Sequence, residues 1–488
     1  MRTKITGRFV VGYEGGDHVV YRDGEVVYED DRVVHVGHGF AGRVDRTIEA
    51  GDAIVSPGFV DLNALADIDH GILDTFQSSE LALGLQWSEE YFLNRRHELF
   101  SPDDERFQRR YALIQLLLNG ITTAMPIAAE TYRAWCETYE QLADVAQIAG
   151  DLGIRIYLGP AYRSGINVVR SDGSRDVLWD RARGEDGLEQ AVRFVRDFDG
   201  AFEGRIRGAF LPCRIETVTL DLLRATKRHA DELGFPIKLH AAQGLPELAL
   251  MRQWHGKRSI ELLGEIGFLG PNVAIPHVYY IGGHNGVEAS GADELALLRD
   301  SGTTVVHCPI PGARHARSLD TLERYLQAGV NVAIGTDMFP PDIIRTLDYG
   351  SNMAKQRAGN QTAGAPTDLF RAATLGGATM LGRDDLGRLA PGAKADIAVI
   401  DLSALRTGVI EDPIRTLLMH ANGRDVKTVI VDGRTVVENG TIPGLDVEAT
   451  RRRAQAYFET YRVAYSERDY LRRSPDQLFP PTFRVVER

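Results

Sequence analysis

The chain has 488 residues, of which 43% are hydrophobic and 25% are charged, as is ordinary for a globular protein. This length exceeds one average domain and suits a large barrel with a satellite domain. The net charge of -12 argues against a nucleic-acid-binding or an anionic-membrane-binding surface, because both favour basic patches.

No apolar segment approaches the roughly 20 residues that a membrane-spanning helix needs. No N-terminal apolar run follows Met1-Arg-Thr-Lys, because the polar Thr6-Gly-Arg breaks it at once, so we expect no secretory leader. Three cysteines, Cys136, Cys213 and Cys308, lie far apart with no CxxC spacing, which suits a reducing compartment and offers no zinc-thiolate site. The sequence therefore predicts a soluble, cytoplasmic protein.

Both ends of the chain are rich in short β-branched runs. Residues 1–56 alternate such runs with Asp-Gly and Glu-Asp-Asp turns, which is typical of a small antiparallel sheet. Similar runs return in residues 395–401 and 427–437. We therefore predict one composite β-sandwich domain, made of residues 1–56 plus 388–445.

Between these ends, residues 57–387 alternate apolar strands with amphipathic helices, which predicts an α/β protein with a (β/α)8 TIM-like barrel. Residues 446–488 are predicted to form a C-terminal helical tail. Polar side chains close four predicted strands at their C-terminal ends, where the active sites of such barrels gather; they are His240, His277, His307 and Asp337. The predicted barrel strands after the first are 154–159, 205–211, 237–240, 272–277, 303–307 and 331–337.

Several short segments match family motifs. Each match alone is weak evidence, but their order and spacing together are strong evidence. The segments are Ile54-Val-Ser-Pro-Gly-Phe-Val-Asp61, His240-Ala-Ala-Gln243, Pro276-His277, Gly335-Thr-Asp337 and a return segment at 373–396. Over almost its full length, the chain resembles the aminohydrolase branch of the amidohydrolase superfamily. That branch includes cytosine- and guanine-deaminase-like and triazine-hydrolase-like enzymes.

The resemblance implies a mechanism. In this family a divalent metal is held by a His-x-His pair on the first strand, by a histidine that matches His240 and by an aspartate that matches Asp337. The metal lowers the pKa of a bound water to near neutrality. Asp337 then takes the proton of the water, and His277 polarises or positions the attacked group. The family glutamate at the position of Gln243 passes a proton to a substrate nitrogen.

The first-strand pair is replaced in this chain. Asn63 and Leu65 occupy the two histidine positions. An amide oxygen is a poor zinc ligand, and leucine has no donor atom. The remaining ligand set is His240, His277 and Asp337, with Asn63 as a weak fourth ligand. We expect one divalent metal ion (zinc, manganese, iron or cobalt), with a metal-free site as the alternative.

Two further departures bear on the reaction. Gln243 forms hydrogen bonds but cannot shuttle a proton, which disfavours ring deamination more than cleavage of an amide, urea or carbamate. Cys308-Pro-Ile-Pro-Gly stands where the family commonly has Pro-x-Ser-Asn. A shifted metal site within residues 67–70 is an alternative, although the aspartates there also suit a helix or turn cap.

Four residues are predicted to bind the substrate. Arg314 and Arg317 lie in the loop after the seventh strand and suit a carboxylate or phosphate group, with a solvated loop as the alternative. Trp87 is predicted to provide an aromatic wall, and His307 lies at a strand end. Core packing is the alternative for both residues.

Three functions stay open. The leading hypothesis is a hydrolase of a non-peptide C–N bond (amide, urea, carbamate or amidine) in a small molecule, with an atypical, reduced or absent metal centre. The second is a metal-independent acid–base enzyme on the same barrel, such as a lyase, isomerase or cyclase. The third is a catalytically inactive, ligand-binding relative. We expect a small-molecule substrate, a homo-oligomer, and neither a nucleic-acid nor a membrane partner.

Overall fold

The computed structural model describes residues 1–68, 71–127, 133–135, 137–289, 291–319 and 322–486. Short strands occur throughout, and the longest lie near the N-terminus. In chain order, the strands of the described residues are β1 (Arg2–Glu14), β2 (Asp17–Glu29), β3 (Arg32–Gly37), β4 (Arg46–Glu49), β5 (Ala53–Pro57), β6 (Phe59–Ala64), β7 (Trp87–Ser88), β8 (Ile121–Pro126), β9 (Arg155–Leu158), β10 (Ala161–Tyr162), β11 (Gly165–Val169), β12 (Arg175–Trp179), β13 (Ile206–Gly208), β14 (Leu211–Pro212), β15 (Ile237–Lys238), β16 (Val273–Pro276), β17 (Thr304–His307), β18 (Val332–Ile334), β19 (Ile397–Asp401), β20 (Val426–Val431) and β21 (Arg434–Val437).

Helices follow most of the central strands. A π-helical turn at Ala372–Gly376 joins two of them. In chain order, the helices of the described residues are α1 (Gly71–Asp74), α2 (Ser79–Leu83), α3 (Glu89–Asn94), α4 (Pro102–Leu118), α5 (Tyr139–Leu152), α6 (Arg181–Phe198), α7 (Ala201–Gly204), α8 (Leu220–Leu233), α9 (Leu245–His255), α10 (Ser259–Glu265), α11 (Glu294–Ser301), α12 (Pro309–Arg314), α13 (Leu322–Gln327), α14 (Ile343–Ala358), α15 (Pro366–Arg371), α16 (Gly377–Met380), α17 (Pro413–His420), α18 (Val447–Arg468) and α19 (Pro475–Leu478).

Local capping residues explain where the long barrel helices begin and end. In α4 the side chain of Ser101 accepts a hydrogen bond from the N–H of Asp104, whose side chain bonds back to Ser101. Thr138 and Gln141 form the same capping box at the start of α5. That helix ends at Gly153, whose φ of 81° suits glycine.

Strands from the two ends of the chain form one eight-stranded sheet. Its order is β21-β20-β19-β5-β1-β2-β3, and β4 pairs with β1. β5 runs antiparallel to β19, so the C-terminal strands complete a sheet that the N-terminal strands begin. This arrangement agrees with the composite β-sandwich predicted from both ends. The division into 1–56 plus 388–445, 57–387 and 446–488 stays a prediction.

Eight parallel strands form the barrel. One half has the order β13-β9-β8-β6 and the other the order β15-β16-β17-β18. Backbone hydrogen bonds join the halves on both sides. Lys238 N–H donates to Phe210 O at 3.0 Å, and Asp337 N–H donates to Asn63 O at 2.9 Å. The barrel predicted from the alternating pattern is therefore confirmed, with the carboxyl ends of its strands at one mouth.

Strand β8 is part of the barrel but was not among the predicted strands. Its signal is the β-branched run Ile121-Thr-Thr, which follows a turn at Asn119 and Gly120. Gly120 has a φ of 81° and supplies the left-handed conformation of that turn. The strand is wholly buried, so its pattern lacks the alternation of a half-exposed strand.

A buried charge network joins the barrel to the terminal sheet. Arg155 on β9 donates from Nε to Asp396 and from Nη2 to Asp432, each at 3.0 Å. The three side chains are at most 4% exposed. Lys394 Nζ also lies 2.7 Å from Asp432. Because buried charges are tolerated when they are paired, the network links the two parts of the molecule.

The C-terminal helix α18 packs on the barrel through a stripe of aromatic residues. Tyr457, Tyr461 and Tyr465 are buried in one cluster with Ile68 and Phe100. The tail therefore covers the segment that follows β6. Within the described residues, no helix is long and apolar enough to cross a membrane. The cytoplasmic location and the homo-oligomer stay predictions.

Candidate active site

The candidate site lies where the strands of the second barrel half end. His240 and His277 follow β15 and β16, Cys308 follows β17, and Asp337 follows β18. The backbone φ angles of His277 and Asp337 are 74° and 48°, in the left-handed region that residues other than glycine rarely adopt. Strained backbone of this kind clusters at functional sites, because the surrounding structure has to hold it.

The structure brings two of the predicted catalytic residues together. His277 Nε2 lies 3.4 Å from Asp337 Oδ2, and the backbone of Asp337 is fixed by its bond to Asn63. Among the described residues, the possible metal-ligand atoms of His277, Cys308 and Asp337 all lie within 4.8 Å of one another. The alternative site within 67–70 is not tested, because residues 69 and 70 lie outside the described ranges.

The hydrogen bonds of His277 assign its tautomer. Tyr279 donates its hydroxyl proton to Cys308 O at 3.0 Å. The Tyr279 oxygen also lies 3.3 Å from Nδ1 of His277, so Nδ1 carries a proton and donates it to that oxygen. Nε2 then carries the lone pair, is buried, and has no hydrogen-bond partner within the part of the chain that the structure describes. The ring therefore presents an acceptor atom to the carboxylate of Asp337.

His240 lies beside this group. Its ring centroid is 5.5 Å from that of His277, and its Nδ1 lies 3.2 Å from Cys213 O. Burial and the charges of Arg214 and Lys238 hold the pKa of His240 well below its usual value. Burial and the neighbouring His240 do the same to the pKa of His277. Both imidazoles are neutral at pH 7, which is the form that accepts a proton or binds a metal.

The first-strand positions do not fit the metal site that the resemblance implies. Leu65 is buried and has no donor atom. Asn63 is fully buried, and its Nδ2 lies 3.7 Å from Cys308 Sγ. None of the described residues forms a hydrogen bond with its Oδ1. One carboxamide oxygen does not replace two imidazole ligands. The family's ligand set is therefore incomplete in this chain.

Lys238 is a buried charge next to the site that was not predicted to be functional. It precedes His240 by two residues, and its Nζ donates to Met125 O at 2.8 Å and to Pro126 O at 2.7 Å. Burial lowers the pKa of Lys238 to about 7, while the charge of Asp61 acts to raise it. The period-two spacing from His240 is the sequence signal for this position, because alternate residues of a strand point to one face.

Asp61 is the second such buried charge. It precedes Asn63 by two residues and accepts hydrogen bonds from the hydroxyl of Thr336 and, at 3.2 Å, from the N–H of Thr336. Burial raises the pKa of Asp61, against the effects of these bonds and of Lys238. The barrel interior below the site thus contains a buried lysine and a buried aspartate.

Gln243 is held as a hydrogen-bond donor. Its Oε1 accepts a bond from Nη1 of Arg214, which leaves its NH2 group to donate to another molecule. Its backbone N–H donates to Glu247 at 2.9 Å. Burial and the nearby Glu216 raise the pKa of Glu247 to about 7. Neither Arg214 nor Glu247 was predicted, since each lies outside the motif segments.

The four predicted substrate-binding residues lie in different surroundings. Arg317 borders a groove of about 520 Å³, and its charge helps to lower the pKa of His277. Arg314 ends α12 at the same rim. His307 is buried, and burial lowers its pKa to about 3. Trp87 packs in a buried aromatic cluster. Their roles in substrate binding stay predictions.

Comparisons with known proteins bear on the family and the fold of the chain. The sequence pattern of the amidohydrolase family matches residues 54–436. The chain is 31% identical to a 5-methylthioadenosine/S-adenosylhomocysteine deaminase of Natronomonas pharaonis, over 88% of this chain and 91% of that protein. It is 27% identical to a 5'-deoxyadenosine deaminase of Methanosarcina acetivorans, over 88% and 91% of the two chains.

Similar folds occur among solved structures. A zinc-bound adenosine deaminase from Xanthomonas campestris superposes with a TM-score of 0.74 at 22% identity, covering 94% of this chain and 98% of that one. A zinc complex of an atrazine chlorohydrolase from Arthrobacter aurescens superposes with a TM-score of 0.74 at 22% identity, covering 93% and 99%. At this identity, the two structures support the fold alone.

Proposed function

Because this chain belongs to the amidohydrolase family, we propose that it hydrolyses a non-peptide C–N bond of a small, nucleoside-like molecule at an atypical metal centre. The observation that carries the proposal is that the Asp337 carboxylate lies beside the neutral His277 ring, with Oδ2 of the acid 3.4 Å from Nε2 at the barrel mouth. The substrate class is taken from relatives named as deaminases of 5-methylthioadenosine and 5'-deoxyadenosine.

The chain's own residues handle the proton of the attacking water. Asp337 takes that proton while the water oxygen forms a bond to the substrate carbon. The lone pair of His277 Nε2 either binds the metal or, without a metal, accepts a hydrogen bond from the water or from the substrate and so orients it. As the C–N bond breaks, Asp337 returns the proton to the leaving nitrogen. Gln243 cannot do so, because its amide group forms hydrogen bonds but does not release a proton at neutral pH.

The remaining residues are proposed to bind the substrate. Gln243 donates from its NH2 group to an acceptor on the substrate, since Arg214 occupies its oxygen. Arg314 and Arg317 line the rim and suit an acidic group. His240, beside His277, either contacts the substrate or completes a metal site.

The test measures release of ammonia or amine from 5-methylthioadenosine, 5'-deoxyadenosine and a panel of small amides, ureas and amidines. We expect turnover by the wild type to fall at least about 100-fold in Asp337→Asn, since a general base contributes about 10²–10⁴-fold. Asp368→Asn is the matched control, because this aspartate pairs with Arg371 on α15 at 3.3 Å. Absence of turnover in the wild type, or equal rates in wild type and Asp337→Asn, would contradict the proposal.

A second candidate is a metal-independent acid–base enzyme, such as a lyase or isomerase. The observation that favours it is Lys238, a buried cation whose charge interacts with both Asp61 and Asp337. Such a cation keeps carboxylates ionised without a metal. Turnover in ¹⁸O-labelled water distinguishes the two candidates. Hydrolysis transfers the label to the product, whereas a lyase or isomerase leaves the product unlabelled.

A further inference from the structure

Two hydrogen-bond acceptors face each other at the centre of the site. The tautomer of His277 puts a lone pair on Nε2, and this atom lies 3.4 Å from Asp337 Oδ2 without a hydrogen bond between them. Two lone pairs at this separation repel unless a cation lies between them. In a tetrahedral zinc site with bonds of about 2.0–2.3 Å, neighbouring ligand atoms lie about 3.3–3.8 Å apart. The observed separation falls in this range.

Cys308 adds a third possible donor atom near these two. Its Sγ lies within 4.8 Å of the possible ligand atoms of His277 and Asp337. We propose that His277, Cys308 and Asp337 bind one divalent transition metal, with the cysteine replacing the two first-strand histidines of the family. The ligands then come from the ends of three adjacent barrel strands. This inference rests on the proposed function only for the use of the metal in hydrolysis.

Cys308 lies in close contact with Asn63 and Gly335. Asn63 Nδ2 lies 3.7 Å from the sulfur, and its buried Oδ1 has no hydrogen-bond partner among the described residues. A Cβ atom added to Gly335 would lie 2.6 Å from Asn63 Cβ and 3.0 Å from Cys308 Sγ. Glycine at this position therefore lets the amide and the thiol lie side by side, in contact with the site.

Tyr279 orients two of the proposed ligands through hydrogen bonds. The Nδ1–H of His277 is held by Tyr279, whose hydroxyl also donates to the backbone of Cys308. Metal-bound histidines usually donate their second nitrogen in this way, which directs the other nitrogen at the metal. One tyrosine thus positions two of the three proposed ligands.

The charges of the site also balance when a metal is bound. Asp61 and Asp337 are acids, and Lys238 is a cation that interacts with both of them and with Cys308. On binding, the Cys308 thiol releases its proton to solvent as the sulfur–metal bond forms, so no oxidation occurs. When Lys238 and Asp61 are both ionised, two carboxylates and a thiolate offset one ammonium group and one divalent ion. A donor set of imidazole, thiolate and carboxylate suits zinc and cobalt.

The test uses cobalt as a spectroscopic probe of the full-length protein. Metal-free wild type, Cys308→Ser and Cys213→Ser are titrated with Co²⁺ without oxygen, and the absorption spectra are recorded. We expect a near-ultraviolet thiolate-to-cobalt charge-transfer band in the wild type and in Cys213→Ser. This variant is the matched control, because Cys213 is also a free, buried cysteine. Cys308→Ser is expected to lose this band and to bind cobalt at least about tenfold more weakly.

Three results would overturn the inference: no metal binding by the wild type, binding without the charge-transfer band, or an unchanged band in Cys308→Ser. If Cys308→Ser fails to fold, X-ray absorption of the zinc-loaded wild type decides, because a sulfur at about 2.3 Å is expected. Turnover is measured on the same preparations. Turnover without a sulfur ligand overturns this inference alone, whereas a sulfur-bound metal without turnover overturns the proposed hydrolase alone.

Discussion

Lys238 places a positive charge inside the barrel, where burial by itself favours a neutral amine. Two backbone carbonyls hold its Nζ, and its charge interacts with Asp61 and Asp337. Each of these acids is more easily kept ionised beside a cation. The charges of Lys238 and Asp61 interact electrostatically, so each offsets part of the cost of burying the other.

We expect Lys238→Met to lower the free energy of unfolding by about 3–5 kcal/mol, because it leaves Asp61 buried without its cation. Asp61→Asn is expected to be destabilising for the converse reason. The double variant is expected to lose about 1–3 kcal/mol less than the sum of the two single losses. Urea unfolding of the four proteins forms a double-mutant cycle, and additive losses would show that the two charges are not coupled.

At the scale of single residues, the sequence predicted only part of the candidate site. His277 and Asp337 could be predicted because each lies in a recognisable motif at a strand end, and the structure places them together. Cys308 was visible only as a departure from a motif, and Lys238 belongs to no motif. Their relation to Asp337 depends on which strands are neighbours around the barrel, and residue spacing along the chain does not contain that information.

At the scale of the elements, three adjacent strands of one barrel half end in buried, neutral histidines. They are His240 after β15, His277 after β16 and His307 at the end of β17. Burial lowers the pKa of all three residues. The unfolded chain exposes the same side chains, whose pKa is then about 6.5. At acidic pH these histidines are therefore protonated more readily in the unfolded chain than in the folded one, which lowers the free energy of unfolding.

The pKa of His307 is lowered to about 3, so its contribution to stability is present above about pH 6.5 and is lost as the pH falls below it. We expect this histidine alone to remove about 2 kcal/mol from the free energy of unfolding between pH 7 and pH 5. In His307→Leu this part of the pH dependence should disappear. The exposed His97→Gln is the control, and urea unfolding at the two pH values is the measurement. Equal pH dependence in wild type and His307→Leu would contradict the assignment.

The elements themselves were largely predictable. The later barrel strands could be predicted because each is a short apolar run that ends in a polar residue, and the family resemblance is confirmed by the matched pattern over residues 54–436. β8 was missed because a fully buried strand lacks alternation. The pairing of β5 with β19 could be expected only in outline, since register between distant segments depends on the folded barrel between them.

At the scale of the whole molecule, the network of Arg155 with Asp396 and Asp432 connects the barrel to the terminal sheet. The arginine comes from a barrel strand, and both acids come from the C-terminal part of the sheet. Removing one partner of a buried ion pair lowers the free energy of unfolding much more than replacing both partners with apolar residues. The stability of the sheet therefore depends on a side chain of the barrel.

We expect Arg155→Met to lower the free energy of unfolding by about 3–5 kcal/mol, because two buried carboxylates lose their shared cation. In calorimetry, the wild type is expected to unfold in one transition, and the variant in two. Arg193→Met, at an exposed arginine of α6, should change the stability by less than about 0.5 kcal/mol. A loss in Arg155→Met no larger than in this control would show that the network does not join the two parts.

The pairing of β5 with β19 also has a consequence for protein synthesis. β5 ends at Pro57, and its partner β19 begins at Ile397, about 340 residues later. At about 5–20 residues per second, the ribosome needs roughly 17–70 s to make that partner. Throughout this interval one edge of β5 presents unpaired N–H and C=O groups, which is a template for aggregation. The nascent chain therefore needs a chaperone or its own barrel to shield that edge until translation is nearly complete.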